Sequence, residues 1–251
     1  MILVTPEAAV GEAFSQFVNR QQAYGRLDRV VIDKYHVVLD SRGGWRSKIL
    51  ELRQLVRLQT QLVYLTATLM PSEEHKFIRV IGLPAKGKIQ WFRARIERKN
   101  ITYRVIEYNR KREIETLVDL VGRKKAQYSK RGKIIIYYET VKQTEELAGE
   151  LGTAYFHRNT GSKEHKSRIL RELKADDSQQ VFTATNTLGL GVDTPAIRVI
   201  IHIRRVRRLR DYSQESGRAG RDSGISEAII LNTARTEARY KWIDDRIRQF
   251  V

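Results

Sequence analysis

The residues with the most distinctive chemistry lie near the end of the sequence, where positions 214–222 read QESGRAGRD. Arg218 and Arg221 are three residues apart in this stretch, so on a helix their guanidinium groups lie on one face. A guanidinium fork matches the oxygens of a phosphate, and a pair of them stabilises negative charge that develops during phosphoryl transfer. The spacing therefore predicts that Arg218 and Arg221 act on a phosphate.

A second stretch with possible ligand contacts, positions 184–193, reads ATNTLGLGVD and follows a predicted strand. Gly189 and Gly191 leave room for backbone amides to approach an anion. Asp193 supplies a carboxylate that can accept a hydrogen bond from a sugar hydroxyl or orient an arginine. The stretch therefore predicts an anion-binding loop.

Two more motifs occur earlier in the chain, Asp33-Lys34-Tyr35-His36 and Thr66-Ala67-Thr68. Taken in order with the two later stretches, they resemble the signature of superfamily 2 helicases, and QESGRAGRD resembles the RecQ branch rather than the DEAD-box branch. The resemblance extends from Thr5 to Arg221 and so covers nearly the whole chain. It implies two RecA-like domains that hold ATP and Mg²⁺ in the cleft between them and move along single-stranded DNA with 3'-to-5' polarity.

The resemblance also implies roles for individual residues. It assigns catalysis at the nucleotide to Gln214, Arg218 and Arg221, and the water-mediated Mg²⁺ shell to Asp33. The remaining assignments are cofactor binding by Asp33, His36, Gly189, Gly191 and Asp193, coupling by Thr66 and Thr68, and DNA binding by Thr5, Pro6, Glu7, Thr185 and Asn186.

One residue departs from the pattern of that family at the expected general base. The family reads Asp-Glu-x-His, and its Glu positions or deprotonates the attacking water; Lys34 stands at that place here. A cation cannot accept the proton, and loss of a general base commonly costs about 100- to 10,000-fold in rate. Lys34 also puts a positive charge beside the expected Mg²⁺.

The phosphate-binding loop of the family, G-x-x-x-x-G-K-S/T, is expected upstream of Thr5, where the sequence has no residues that match it. Positions 82–88, GLPAKGK, match most of the spacing, but Ile89 follows without a hydroxyl for Mg²⁺, and the stretch comes after Asp33 instead of before it. We therefore interpret the chain as a fragment or the product of a truncated gene model. We expect negligible ATP hydrolysis.

The charge balance indicates a polyanionic partner. The chain has 47 Lys and Arg against 29 Asp and Glu, a net charge of +18, and a pI near 10.2. A dense basic run precedes QESGRAGRD and consists of Arg204, Arg205, Arg207, Arg208 and Arg210. Neighbouring arginines repel one another unless phosphates or acids lie close, so we favour DNA contact over a solvated loop.

Composition excludes several classes of protein. The absence of cysteine rules out a disulfide framework, cysteine-ligated zinc and a cysteine nucleophile. The apolar runs, such as 134–136, are far shorter than the roughly 20 residues of a membrane span, so no membrane partner is expected. The histidines outside the DKYH motif show no metal spacing, and each tryptophan could either stack on a base or anchor a core: His75, His157, His165, His202, Trp45, Trp91 and Trp242.

The elements that must position these motifs alternate between β-branched runs and amphipathic stretches, which is typical of parallel α/β sheets. A helix is predicted from Pro6 through Val18, another around Ile49, Leu52 and Val56, and a third with Ile114, Leu117, Val118 and Val121 on one face. No periodicity is visible in 71–99. Strands are predicted at 30–33, 62–65, 101–107, 133–138, 154–157, 180–183, 198–203 and 227–231.

These elements group into two domains, 1–92 and 93–251. We predict an α/β fold with two RecA-like parallel-sheet domains, the first incomplete and the second complete. The favoured function is the core of a RecQ-like DNA helicase, for which the resemblance suggests a nuclear location. Two alternatives stay open, a DNA-binding or interaction module without catalysis and the product of a decayed helicase gene.

Overall fold

The computed structural model of the chain describes residues 1–40, 47–83, 89–94, 97–128, 131–175, 179–185, 194, 196–204, 206 and 209–233. The chain divides into two compact units, Met1–Arg95 and Ile96–Val251, here called the first and the second unit. Each unit contains its own parallel sheet. None of the helices in the described ranges has the length and hydropathy of a transmembrane span.

The first unit builds its described part on two parallel strands in direct register, with Asp33 beside Leu65. Because parallel strands point the same way, the residues that follow them come together at one edge of the sheet. The elements in chain order are α1 (Pro6–Ala9), α2 (Glu12–Ala23), β1 (Arg29–Asp33), α3 (Ser47–Glu51), β2 (Gln61–Leu65) and α4 (Glu74–Ile81), with 3-10 turns at Tyr35–Asp40, Leu52–Arg57 and Pro71–Glu73.

An aromatic cluster lies in the core of the first unit. The rings of Tyr35, Tyr64 and Phe77 contact one another with centroids 5.3 to 6.0 Å apart. Helix α4 buries Phe77 and Ile81, and the hydroxyl of Tyr35 donates to the carbonyl of Ile49 (3.1 Å). This core supports the residues that immediately follow β1.

The helices of the first unit differ from the sequence prediction in three places. The helix predicted from Pro6 is split, because Gly11 adopts an extended backbone and caps α2. The helix predicted around Ile49 is α-helical only to Glu51 and then tightens into a 3-10 turn. Helix α4 lies in the segment where the sequence shows no periodicity, since its apolar stripe is only two turns long.

The second unit contains a six-stranded sheet in the order β3-β8-β7-β4-β6-β5, with all neighbouring strands parallel. Its elements are β3 (Ile101–Tyr108), α5 (Glu113–Gln127), β4 (Lys133–Tyr137), α6 (Val141–Leu151), β5 (Ala154–Phe156), α7 (Lys163–Lys174), β6 (Val181–Ala184), β7 (Ile197–Ile203), α8 (Leu209–Ser216) and β8 (Ser226–Thr233), with a 3-10 turn at Arg110–Arg112.

Helices cover both faces of this sheet. Leu117 of α5 and Leu147 of α6 belong to one buried cluster, and Leu173 of α7 and Tyr212 of α8 belong to the other. Strand β4, which contributes to both clusters, is buried along its whole length. Continuous apolar strands are expected when a parallel sheet is covered on both sides.

The predicted fold class is confirmed: the chain is a parallel α/β protein whose described sheets have two and six strands. Each of the eight predicted strands overlaps an observed one. The predicted buried face of α5 is partly wrong, because Ile114 and Val118 are exposed. The helix turns Leu117, Leu120 and Val121 toward the sheet instead.

Candidate functional site

Polar residues that follow β1 and β2 meet at the carboxyl edge of the first sheet. His36 is buried, and its Nδ1 lies 2.8 Å from Oγ1 of Thr66 in a hydrogen bond. The same Oγ1 accepts a hydrogen bond from the amide of Thr68 (3.3 Å). The DKYH and TAT motifs, 30 residues apart in sequence, are therefore in direct side-chain contact.

Asp33 lies at the same edge with an exposed carboxylate. Its Oδ1 accepts a hydrogen bond from the amide of Lys34 (2.8 Å), which has a left-handed backbone with φ of +54°. Carboxylate oxygen is a ligand that Mg²⁺ prefers, and Mg²⁺ commonly takes its other ligands from water and phosphates. The donor chemistry of Asp33 fits such an ion, although the described residues contain no group of three His, Asp or Glu that could hold a metal by themselves.

Thr5, Pro6 and Glu7 have a local role at the start of α1. Oγ1 of Thr5 accepts a hydrogen bond from the amide of Ala8 (3.3 Å), Pro6 takes the first helical position, and Glu7 lies in the first turn. Serine or threonine at the N-cap followed by proline is a typical helix start. The predicted DNA contact of these three residues stays a prediction.

The arginines of QESGRAGRD lie in a turn and not on a helix, contrary to the geometry assumed from their spacing. Helix α8 carries Gln214 and ends at Ser216, and residues 217–222 form consecutive turns. The amide of Arg218 bonds to the carbonyl of Glu215 (3.2 Å), a tighter pattern than the α-helix. As a result Arg218 is 8% exposed, whereas Arg221 is open to solvent.

Two residues that the sequence analysis did not single out, Arg98 and Asn100, bind the main chain of this turn. The guanidinium of Arg98 donates to the carbonyls of Gly217 (3.1 Å), Ala219 (3.1 Å) and Gly220 (2.7 Å). Nδ2 of Asn100 donates to the carbonyls of Gly220 (2.7 Å) and Gly224 (3.0 Å). The only signal in the sequence is a pair of polar residues directly before a predicted strand.

The end of the same turn is fixed by a second arginine. Arg198, at the start of β7, donates through both terminal nitrogens to the carboxylate of Asp222 (3.0 and 2.5 Å). This pair and the amide of Gly224 hold the pKa of Asp222 below its usual value. Asp222, the last residue of QESGRAGRD, is therefore bound to strand β7 of the sheet.

A buried polar cluster connects α8 with strands β4 and β7. Nε2 of His202 is 2.8 Å from Oε2 of Glu215, and the imidazole stacks on the ring of Tyr137 with centroids 5.1 Å apart. Burial raises the pKa of Tyr137, and the charge of Glu215 adds to this while that of Arg218 opposes it. The carboxylate of Glu215 and the guanidinium of Arg218 thus both act on the Tyr137 hydroxyl.

Arg204, a predicted DNA contact, lies in an acidic and aromatic setting. Its Nε and a terminal nitrogen donate to the two carboxylate oxygens of Glu113 (both 2.7 Å), and its guanidinium lies over the ring of Tyr138. The hydroxyls of Tyr108 and Tyr138 also donate to Glu113. Burial alone would raise the pKa of Glu113, but the bonds from Arg204 and the two tyrosines outweigh it and lower this pKa.

The other predicted contacts are placed as follows. Thr185 follows β6, is 7% exposed, and donates its amide to the carbonyl of Phe156 (3.1 Å). Trp91 is 44% exposed, so it does not anchor a core. The predicted residues that lie outside the described ranges are Trp45, Asn186, Gly189, Gly191, Asp193, Arg205, Arg207, Arg208 and Trp242.

Comparison with protein families finds a match to one domain model. Residues 112–223 match the helicase conserved C-terminal domain. The matched range includes β4 to β7 and α8 and ends at Ser223, within residues 217–224, here called the arginine turn.

Curated proteins that are similar in sequence include several helicases. ATP-dependent helicase SGS1 of Saccharomyces cerevisiae is 27% identical over 241 residues, which are 94% of this chain and 16% of that protein. ATP-dependent DNA helicase Q1 of Mus musculus is 30% identical over 240 residues, 92% of this chain and 36% of that protein. The chain thus spans between about one sixth and one third of the length of these relatives.

Solved structures with a similar fold include S. cerevisiae Dbp5 bound to RNA and ADP BeF3, with a TM-score of 0.67 at 17% identity over 94% of this chain and 61% of that one. A DEAD box protein from the hyperthermophile Methanococcus jannaschii has a TM-score of 0.55 at 18% identity, over 93% of this chain and 61% of that one. At these identities the likeness concerns the fold, and it confirms the RecA-like architecture.

Proposed function

We propose, from the premise that the chain carries a C-terminal helicase domain of the RecQ-like superfamily 2 type, that it serves as part of a DNA helicase motor. The similarity itself supports a helicase-like function on nucleic acid. The proposal adds that the nucleic acid is DNA, bound as a single strand, that the motor moves with 3'-to-5' polarity, and that the ligand of the arginine turn is Mg²⁺-ATP.

The observation that carries the proposal is the arginine turn of the second unit. Its carbonyls are bound by Arg98 and Asn100, its last carboxylate is bound by Arg198, and Arg218 is nearly buried. Groups that stabilise a developing charge are most effective when they are already in place before the reaction. A turn fixed at so many points is suited to present guanidinium groups to a polyphosphate.

In this proposal Arg218 and Arg221 neutralise the phosphates of ATP, and Gln214 contributes a hydrogen bond from α8. Asp33, in the first unit, would hold Mg²⁺ through water, and the ion would supply positive charge to a phosphate ligand. The bond between His36 and Thr66 links the nucleotide motif to the TAT motif, which supports a role in coupling. The basic run supplies contacts to DNA through Arg205, Arg207 and Arg208, whereas the guanidinium of Arg204 is bound to Glu113.

DNA binding is tested with a fluorescently labelled single-stranded oligonucleotide and the full chain. We expect the logarithm of the affinity to fall with the logarithm of the salt concentration, by about 0.7 per neutralised phosphate. A net charge of +18 favours several such contacts. Binding that does not change with salt would contradict the proposal.

The nucleotide role is tested at Arg221, because this residue is exposed and its replacement should leave the fold intact. We expect Arg221→Ala to weaken the binding of Mg²⁺-ATP by about 10- to 150-fold, since a hydrogen bond to a charged group contributes about 1.5–3 kcal/mol and each 1.4 kcal/mol is tenfold. Arg168→Ala, on the exposed face of α7, is the matched control. Equal affinities for both variants and the unmodified chain would remove Arg221 from the site.

A second function, DNA binding without ATP hydrolysis, is favoured by Lys34, which stands where the family has its general base. Phosphate release from ATP is compared for the chain, for Lys34→Glu, and for Lys76→Glu as a charge-matched control on α4. For a motor that lacks only its general base, we expect the rate of phosphate release to rise by about 100-fold or more in Lys34→Glu and to stay unchanged in Lys76→Glu. No gain supports the binding module, and robust release by the unmodified chain contradicts the role given to Lys34.

A further inference from the structure

We infer that Arg98 and Asn100 are positioning residues for the arginine pair, which they hold through the main chain of the turn at 217–224. They act from the start of the second unit, 119 to 124 residues before the groups that they bind. The inference rests on the proposed role of Arg218 and Arg221 toward a polyphosphate.

The carbonyls that Arg98 binds belong to the turn that follows α8, which ends at Ser216. Outside the helix these carbonyls need donors from elsewhere, and the Gly220 carbonyl also accepts from the amide of Ser223 (3.0 Å). One guanidinium reaches three of them, at 3.1, 3.1 and 2.7 Å. A lysine ammonium at the same place carries its three donors on one nitrogen and lacks the planar fork with which arginine reaches the three carbonyls.

Asn100 fixes the sharpest point of the turn. Gly220 has a left-handed backbone with φ of +56°, and a Cβ at this position would lie 2.4 Å from Nδ2 of Asn100 and 2.6 Å from the carbonyl of Gly224. The amide of Gly220 also donates to the carbonyl of Ile197 at the start of β7 (2.9 Å). The backbone at Gly220 is thus bound both by the side chain of Asn100 and by the main chain of β7.

The bound carbonyls flank the two arginines. Gly217 and Ala219 lie on either side of Arg218, and Gly220 directly precedes Arg221. Strand β3 pairs with β8 along eight residues, beginning with Ile101 beside Ser226, and the side-chain bonds of Arg98 and Asn100 to the turn lie outside this ladder. The specific effect of Arg98 and Asn100 is therefore on the direction in which Arg218 and Arg221 leave the main chain.

The first test measures Mg²⁺-ATP affinity and melting temperature for the full chain, Arg98→Lys, Asn100→Ala and the control Arg104→Ala, which lies on the exposed side of β3. We expect Arg98→Lys and Asn100→Ala to weaken the affinity by about 10-fold, since a displacement of about 1 Å can cost up to 100-fold. Arg104→Ala should leave it unchanged. Weaker affinity in proportion to a lower melting temperature in all three variants would indicate a purely structural role and overturn the inference.

A second measurement separates this inference from the proposed function. The side-chain Nε–H resonances of Arg218 and Arg221 are recorded by NMR in the unmodified chain and in Arg98→Lys, without nucleotide. We expect both resonances to shift, with that of Arg218 moving toward the chemical shift of a solvent-exposed arginine, while the resonance of Arg168 stays in place. If the unmodified chain binds no Mg²⁺-ATP, the proposed function fails; unchanged Arg218 and Arg221 resonances overturn the positioning role itself.

Discussion

The candidate site of the first unit and that of the second unit differ in what fixes their functional groups. In the first, a side-chain bond between His36 and Thr66 joins the motifs, and Asp33 and Lys34 beside it are exposed. In the second, Arg98, just before β3, binds the main chain around Arg218, and Arg198 of β7 binds the carboxylate of Asp222. The main chain of the arginine turn is therefore bound at more points than the residues of the Asp33 edge, and substitutions that break these contacts should cost more stability in the turn.

The largest expected effect compares two left-handed glycines, one in each unit. Gly220→Ala places a methyl group against Asn100 and a backbone carbonyl, and should lower the free energy of unfolding by about 3–5 kcal/mol from backbone strain and overpacking. Gly82→Ala has a similar φ of +73° but nothing within 4 Å, and should cost only about 1–2 kcal/mol. Urea denaturation of both variants checks the difference, and equal losses would break the comparison.

The next largest effect is expected at Glu113, the carboxylate that binds Arg204 of the basic run. Glu113→Ala leaves Arg204 and the hydroxyls of Tyr108 and Tyr138 without their acceptor. Because Arg204 is one-third exposed, we expect a loss of about 2–4 kcal/mol instead of the larger loss of a fully buried pair. The control is Glu115→Ala, an exposed partner of Arg112, which should hardly change the melting temperature.

The pKa of Glu113 gives the same prediction a pH dependence. Its pKa is lowered from an ordinary value of 4.5 in the folded chain, so the unfolded chain binds protons more readily. The stabilisation by ionised Glu113 is present above about pH 4.5 and is lost as the pH falls through the lowered pKa of the folded chain. The melting temperature should fall with acid in the unmodified chain and fall less steeply in Glu113→Ala.

A smaller effect is expected at the edge of the first sheet. Thr66→Val removes the hydroxyl that bonds to Nδ1 of His36 and should cost about 1 kcal/mol. Thr102→Val, on an exposed position of β3, should change stability by less than about 0.5 kcal/mol. Thermal melts of both variants test this, and a loss at Thr66 as large as that of Gly220→Ala would reverse the ranking of the two sites.

The smallest effect is expected at the start of the chain. Thr5→Ala removes the N-cap of α1, a four-residue helix with an exposed cap, and should cost about 0.5 kcal/mol. If Thr5 also contacts DNA, the affinity for a single-stranded oligonucleotide should fall while the melting temperature hardly moves. Ser72→Ala, in an exposed 3-10 turn, is the control, and an equal change in affinity there would remove the DNA contact of Thr5.

Strands and motif order were predictable from local sequence, and the arginine turn was not. Runs such as 134–136 are apolar at every position, which is sufficient to indicate a strand covered on both faces. Helix faces were less certain: Ile114 and Val118 are apolar yet exposed, because α5 packs through Leu117, Leu120 and Val121. Only the rotation of a helix against its sheet settles which stripe is buried.

The contacts that define the candidate sites are the part that local patterns could not supply. Arg98 reaches Gly220 across 122 residues, and no periodicity relates two positions so far apart. Helix α8 ends at Ser216, directly before Gly217, and the donors to the carbonyls of the following turn belong to other elements. The sequence analysis assigned roles to His36 and Thr66 but predicted no contact between them, and this contact follows from the parallel register of β1 and β2.

The position of β3 in the sheet has a consequence for the order of events during synthesis. The strand that begins the second unit pairs with the one that ends its described part, from Ile101 beside Ser226 to Tyr108 beside Thr233. Contacts between distant segments form late, because a long loop must first close. We expect Arg98 to stay without its carbonyl partners during synthesis until residues 217–220 have left the ribosome and β8 has docked beside β3; limited proteolysis of stalled chains of increasing length would show when this happens.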